Sequence, residues 1–382
     1  MPQITDLPAL IAQLPEERRS RFERLFDAQL EIGYCLAPEP MRDWVSRQFG
    51  AVNDVETQHV VRVTNRITWE GAAFNPLRAR RPVKRRTHTR TDARHGRDAQ
   101  PCVSTDNEPD LFADPLGMTT ADVFGRAVGN HCVTSSNPAR WDGQCAVLIF
   151  REPDPFAFTA DQMRDYFRTA LDWARQAHQA DADARYFIWM WNGGPAGGAS
   201  IAHAHAQLGL ARARHYAKIE GLRRAALSYR EHHGADYFQD LLAAHADVGL
   251  SFEVNGLPGF VSLTPLRGKD TWILGRAFDD QLAGAFAGVL RALIERADLQ
   301  AFDAAVLMPP LFGPLPGAPT EDWSGFPFIA RIVDRGRPDA LSSDIGALDL
   351  FAQSVIAHDP FAVHQAIIGA PQQPGLQSKH VN

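Results

Sequence analysis

Apolar positions along this chain change period several times. Between residues 6 and 50, Leu10, Ile11, Leu14, Phe22, Leu25 and Phe26 recur at helical spacings opposite a face of mixed charge, which predicts a helical amino-terminal segment over 1–58. Residues 59–69, HVVRVTNRITW, alternate and are rich in β-branched side chains, so they read as a strand. A long polar segment follows to about residue 120, holding Asp106, Asn107, Glu108, Pro109 and Asp110. An irregular segment of that length in a compact fold is more often functional than idle.

From Cys145 the elements are sharper. CAVLIF (145–150) is a buried strand. Thr159 and Gln162 form a capping box that opens a helix with Met163, Phe167 and Leu171 on one face, and YFIWMW (186–191) is a second buried strand. A glycine-rich connection over 192–200 leads into the strand IAHAHAQLGL. The order then recurs: TWILG (271–275), a helix opened by Asp279 and Asp280 with Leu282, Phe286, Leu290 and Leu293, the strand DAAVLM (303–308), a Pro/Gly-rich loop, and the strand within FPFIARIVDR. Phe150 to His203 and Gly275 to Phe328 are both 53 residues, which points to an internal duplication. The halves are 59–235 and 245–372, and the second has apolar residues where the first has His-x-His.

Composition narrows the class. With 382 residues, 45% of them apolar and 22% charged, the chain can bury a large core, and no apolar run reaches the ~18 to 20 residues of a membrane span. The first thirty residues carry charge throughout and do not read as a secretory signal, so a cytoplasmic location is expected. Cys35, Cys102, Cys132 and Cys145 include no C-x-x-C pair, which argues against a disulfide framework and a thiolate metal site. A net charge of −6 disfavours coating of nucleic acid, yet Arg78, Arg80, Arg81, Lys84, Arg85, Arg86 and Arg90 form one basic stretch.

The chemistry concentrates at 192–207. In a strand, His203, His205 and Gln207 share one face and the intervening alanines the other, and burying three such polar groups is costly unless they have partners. The preceding Asn192, Gly197, Gly198 and Ser200 offer amides that an anion can approach closely where no Cβ intervenes. The run N-G-G-P-A-G-G-A-S-I-A-H-A-H-A-Q resembles the active-site motif of the galactose-1-phosphate uridylyltransferase branch of the histidine-triad superfamily. That branch also holds dinucleoside-polyphosphate phosphorylases and nucleoside-diphosphate-sugar phosphorylases. Asn75, Pro76 and Leu77 resemble the family's early N-P-L.

The resemblance implies an α+β fold of two fused histidine-triad-like units around antiparallel sheet, with the amino-terminal helices as a preamble. It implies that His205 is the nucleophile. A neutral imidazole attacks phosphorus well, and a hydrogen bond from its other nitrogen, for which a backbone carbonyl is the expected acceptor, would fix the reactive tautomer. Gln207 stands where hydrolytic members hold a third His, and a neutral amide favours an intermediate that waits for an acceptor. Zinc-binding members use an early C-x-x-C, a mid-chain His and the first motif His. This chain has no C-x-x-C and no His in 151–158, so His203 is expected to position its neighbour, and neither metal nor cofactor is expected. The hexose-phosphate residues of classical members are not matched in the carboxyl-terminal half, which leaves the acceptor open.

Two function classes follow. One is a nucleotidyltransferase or phosphorylase acting on a nucleoside-diphosphate sugar or dinucleoside polyphosphate, with phosphate or a sugar phosphate as acceptor and, by the resemblance, a homodimeric assembly. The other is a protein that binds nucleotides or nucleic-acid ends through its basic stretch without transfer. In the first, an acceptor phosphate must be held against charge repulsion, and Arg78, Arg267 and Lys269 are the candidate cations.

Overall fold

A computed structural model describes residues 2–81, 110–314, 317, 321–340, 347–369 and 376–377. Fourteen strands run through these residues: β1 Phe26–Tyr34, β2 Thr57–Asn65, β3 Gly71–Phe74, β4 Cys132–Ser136, β5 Gln144–Phe150, β6 Ala184–Gly193, β7 His205–Arg212, β8 Ser251–Val254, β9 Leu257–Val261, β10 Thr271–Gly275, β11 Phe302–Leu307, β12 Phe328–Asp334, β13 Gln353–Ile356 and β14 Leu376–Gln377. The α-helices are α1 Leu7–Gln13, α2 Glu16–Leu25, α3 Glu39–Phe49, α4 Val52–Glu56, α5 Pro115–Met118, α6 Ala160–Ala180, α7 Ala217–His233, α8 Tyr237–Asp247, α9 Asp280–Arg296 and α10 Pro360–Ile368. None of these helices is long and apolar enough to cross a membrane.

The strands form two sheets. A ten-stranded sheet has the order β14-β8-β9-β10-β12-β11-β6-β7-β5-β4, and a four-stranded sheet the order β1-β2-β3-β13. Neighbours in the large sheet are all antiparallel, whereas β3 and β13 in the small one run parallel. The large sheet is symmetric about its middle: β4-β5-β7-β6 on one side mirrors β9-β10-β12-β11 on the other, with α6 and α9 in equivalent connections. The two units join where Met190 of β6 pairs with Ala305 of β11.

That pair fixes the correspondence residue by residue. Met190 pairs with Gln207 and Ala305 with Arg331, while Ile149 pairs with His205 and Leu274 with Ile329. The counterparts of His205 and Gln207 are therefore Ile329 and Arg331, one position away from the register that equal 53-residue spacings suggest. Two unequal connections nearly cancel: Ile149 to Met190 is 41 residues against 31 from Leu274 to Ala305, and Met190 to His205 is 15 against 24 from Ala305 to Ile329.

Pleating assigns the faces. One face of the large sheet carries Leu148, Ala206, Trp189, Trp191, Ala304, Ala330 and Ile332, buried under α6 and α9. The capping box predicted at Thr159 and Gln162 opens α6, and Asp279 caps α9 through the Leu282 amide. Tyr166 on α6 stacks on Phe150 with ring centroids 3.8 Å apart, and Phe167 stacks on Phe278 at 4.3 Å. A buried aromatic of this kind contributes about 1.5–3 kcal/mol over an exposed one, which makes this layer the rigid platform of the fold.

The other face carries His205, Gln207, Met190, Ala305, Arg331, Ile329 and Trp272. Over the second half it is covered by the small sheet and α8, which bring Val61, Val63, Ala72, Phe74 and Leu241 onto Ile329, Leu307 and Trp272. The amino-terminal segment differs from the sequence expectation here. Phe26–Tyr34 is an edge strand and not helix, because Phe26, Ala28, Leu30, Ile32 and Tyr34 alternate and their backbone pairs in register with β2. The flanking helical expectation holds at α1, α2 and α3, with Ile11, Phe22 and Leu25 buried.

Candidate functional site

His205 is the first residue of β7, paired with Ile149 of β5. Residues 200–203 are irregular, so the strand begins later than the alternation of IAHAHAQLGL suggests. The cause is a crossing of chains: the Ala204 amide donates to Pro153 O at 2.9 Å and the Phe150 amide donates to Ala204 O at 3.2 Å. His203 therefore sits just before the ladder, with its ring turned under the end of β5.

Both nitrogens of His203 are engaged. Nε2 lies 2.7 Å from the carbonyl oxygen of Phe150, and Nδ1 lies 2.7 Å from Oδ2 of Asp110. Asp110 in turn accepts from the Phe112 amide at 3.0 Å. Burial works to raise the Asp110 pKa, but bonds from His203 and the Phe112 and Ala113 amides, together with the His203 charge, hold its carboxyl below the usual range. Asp110 is thus a carboxylate that can only accept.

His205 has the complementary arrangement. Its Nδ1 lies 2.8 Å from the carbonyl oxygen of His203, which requires a proton on Nδ1 and leaves the Nε2 lone pair unprotonated. Nε2 has no hydrogen-bond partner among the described residues. Burial pushes the His205 pKa below its ordinary value and the charge of His203 pushes the same way, with the His203 carbonyl opposing. The ring is neutral at pH 7. Phe112 lies edge-on to both rings, with centroids 5.9 Å from His203 and 5.2 Å from His205, and packs with Val133 and Ile149 on the same face.

The glycine loop is shaped by packing as much as by its openness. Gly194 and Gly198 have φ of 81° and 93°, a region that side chains disfavour. A Cβ on Gly193 would fall 2.2 Å from the Phe302 ring, and one on Gly197 2.6 Å from the Phe302 carbonyl oxygen. The amides of Gly197 and Gly198 donate within the turn to Gly194 and Pro195 oxygens, so they are not turned outward as the motif alone suggests. The amides of Ser200, Ile201, Ala202 and His203 have no acceptor among the described residues, and they lead directly to His205. Asn192, at the end of β6, has its side-chain nitrogen 3.7 Å from where a Cβ on Gly198 would stand, on the same face as Met190 and Gln207. The Gln207 side chain, half-buried, has no hydrogen-bond partner among the described residues.

The structure does not bring the other candidates to this place. Lys269 is buried in an ion pair with Asp334 at 2.7 Å and also donates to Asp298 O at 2.9 Å. Asp334 lies three positions beyond Arg331 and hence on the opposite face of β12. Arg267 pairs with Asp349. Asn75 caps a short 3-10 turn through the Leu77 amide and donates to Gln58, and Arg78 belongs to that turn, Pro76–Arg80, at the small sheet. Lys84, Arg85, Arg86, Arg90 and Cys102 lie outside the described residues. Asp110 and Phe112 were not among the sequence-predicted site residues. The signal for them was the polar segment itself, which holds Asp110 and runs on to about residue 120.

Zinc does not fit this donor set. His203 has no free ring nitrogen, Cys132 is buried with its pKa raised to about 12 chiefly by burial, and no group of three or more metal-ligating side chains gathers among the described residues.

No protein-family model matches the chain, and no curated protein matches it. Solved structures do. The fold superposes on an ADP-glucose phosphorylase from Arabidopsis thaliana with bound ADP-glucose at a TM-score of 0.58 and 14% identity, over 81% of this chain and 98% of that one. It superposes on a uridylyltransferase at 0.54 and 16% identity, over 81% and 97%. The chain thus shares the fold of these two proteins. Two fused units, an antiparallel sheet shared between them and an amino-terminal addition are what the motif at 192–207 implied.

Proposed function

We propose that the protein is a nucleotidyltransferase that passes a nucleoside monophosphate from a nucleoside-diphosphate sugar or a dinucleoside polyphosphate to phosphate or a sugar phosphate through a nucleotidyl-His205 intermediate. The observation that carries this reading is the tautomer of His205: Nδ1–H is committed to a backbone carbonyl, and Nε2 keeps its lone pair. The fold shared with an ADP-glucose phosphorylase and a uridylyltransferase supports the reaction class.

In the first step the Nε2 lone pair attacks the α-phosphorus, an N–P bond forms, and the bridging P–O bond breaks with its electrons on the departing sugar phosphate or nucleoside polyphosphate. In the second, an acceptor phosphate oxygen attacks the same phosphorus and returns the electron pair to Nε2. The proton stays on Nδ1 throughout, donated to the His203 carbonyl, which stabilises the positive ring of the intermediate. The amides of Ser200 to His203, without an acceptor among the described residues, supply donors for the non-bridging oxygens, and Gln207 and Asn192 complete the polar face.

The test is a panel of α-32P-labelled donors, ADP-glucose, UDP-glucose and diadenosine tetraphosphate, mixed with the protein without acceptor. Acid-labile, base-stable label on the wild-type chain, discharged by inorganic phosphate and absent from a folded His205→Ala variant, is the expected result. Turnover by strictly sequential kinetics with no label on any donor would replace the covalent route by direct displacement.

A further inference from the structure

The site contains an ion pair that the reaction above does not use. His203 is 9% exposed and faces two acceptors at once, the Phe150 carbonyl and the Asp110 carboxylate, each at 2.7 Å. A carbonyl oxygen accepts only, and Asp110 is a carboxylate, so both bonds require a proton on each ring nitrogen. A neutral ring would leave one lone pair pointing at an oxygen.

We propose that Asp110 is a positioning residue that holds His203 as a doubly protonated imidazolium, and that this fixed cation keeps His205 oriented and unprotonated beside the phosphorus it attacks. The chain of contacts is continuous. Asp110 fixes the His203 ring, the ring fixes the backbone at Ala202–Ala204, and the His203 carbonyl holds Nδ1 of His205 at 2.8 Å. Phe112, two residues from Asp110, closes against both rings, so the same short segment supplies the charge and the apolar cover. Among the described residues, the titratable group acting on His205 is His203, and the one acting on Asp110 is also His203; the other contacts are the Phe112, Val133 and Ile149 side chains and the Phe150 carbonyl.

The kinetic part of this inference rests on the nucleotidyl-transfer reading; the protonation part does not. In 15N-histidine spectra of the whole protein, assigned with His203→Gln, His203 is expected to show two protonated nitrogens and His205 one, at Nδ1. Asp110→Asn removes the carboxylate that receives the Nδ1 proton, so the doubly protonated state should be lost, and Asp110→Glu should keep it. With the His203 charge gone, the His205 pKa rises, and the acid limb of the labelling rate moves to higher pH. Label formation at pH 7 should fall about 10- to 100-fold, the range seen when the partner that orients a functional His is removed. A role confined to folding would lower stability in Asp110→Asn and leave the limb where it was. A His203 with one protonated nitrogen in the wild type, or an unmoved acid limb in Asp110→Asn, overturns the proposal. If no donor labels the protein, the transfer reading fails and the spectra still decide the state of His203.

Discussion

Acid should unfold this protein through a histidine far from His205. His245, on α8, is 1% exposed, with Nδ1 2.7 Å from Leu241 O and Nε2 accepting from the Leu263 amide at 3.2 Å. That pairing needs a neutral ring, and its face stacks on Phe260 at 4.1 Å. Burial pushes its pKa down to about 4, against about 6.5 in the unfolded chain. The folded pKa is the lower one, so the unfolded chain binds the proton first as pH falls. The stabilisation is complete above about pH 6.5, is lost between there and about pH 4, and changes no further below that. At about 1.4 kcal/mol per pH unit, His245 alone costs the fold about 2 kcal/mol between pH 6.5 and 5. Glutamine can donate to Leu241 O and accept from the Leu263 amide without titrating. Urea unfolding of wild type and His245→Gln at pH 7.5 and 5.0 isolates the effect, because other groups, including His215 with its pKa also near 4, cancel in the comparison. The wild type should lose about 2 kcal/mol more than the variant. Equal losses in the two proteins would refute the argument. The result bears on function, since any acid limb in labelling must be shown to precede this unfolding before it is assigned to His205.

Two further outcomes are expected. Lys269→Ala leaves the buried Asp334 carboxylate with only the Gly336 amide and His358, 3.9 Å away, so it should lower stability by about 1–3 kcal/mol while leaving the Michaelis constants for donor and acceptor unchanged, measured at a temperature where the variant is folded. Gln207→His places a group that can donate a proton beside the intermediate, so the ratio of free nucleotide to transferred nucleotide should rise, read by chromatography of products with and without phosphate.

What the sequence disclosed and what it hid have separate physical causes. The duplicated units were legible because each is built from long apolar strands and a strongly amphipathic helix, whose periods are local. Their register was not, since pairing of Met190 with Ala305 is a contact between distant segments and the spacing count missed it by one. The strand Phe26–Tyr34 was hidden because it lies at a sheet edge where Leu30, Ile32 and Tyr34 are 41%, 46% and 76% exposed, so charged neighbours mask the alternation. His203, His205 and Gln207 stood out as polar residues in an apolar strand. Lys269 did not reveal its partner, because Asp334 lies on another strand and no local rule links them. Asp110 reaches His203 across 93 residues, and only folding brings such a pair together.

The symmetry of the large sheet explains why one half alone carries chemistry. Equivalent faces of β7 and β12 began with the same exposure problem, a sheet surface with helices on its far side only. In the second half the small sheet and α8 cover it, and the positions equivalent to His203, His205 and Gln207 are Pro327, Ile329 and Arg331. Pro327 has no amide hydrogen to offer, Ile329 is fully buried, and Arg331 is tied to Asp270 by two bonds at 3.0 and 2.6 Å and lies over Trp272. A cavity of about 400 Å3 remains near that locus, lined by Leu257, Leu274, Arg276 and Pro327, without a nucleophile. Among the described residues no such cover lies over the first half, where Phe112 packs against Val133, Ile149 and the rings of His203 and His205. Among the described residues, the Nε2 lone pair of His205 is thereby left without a partner.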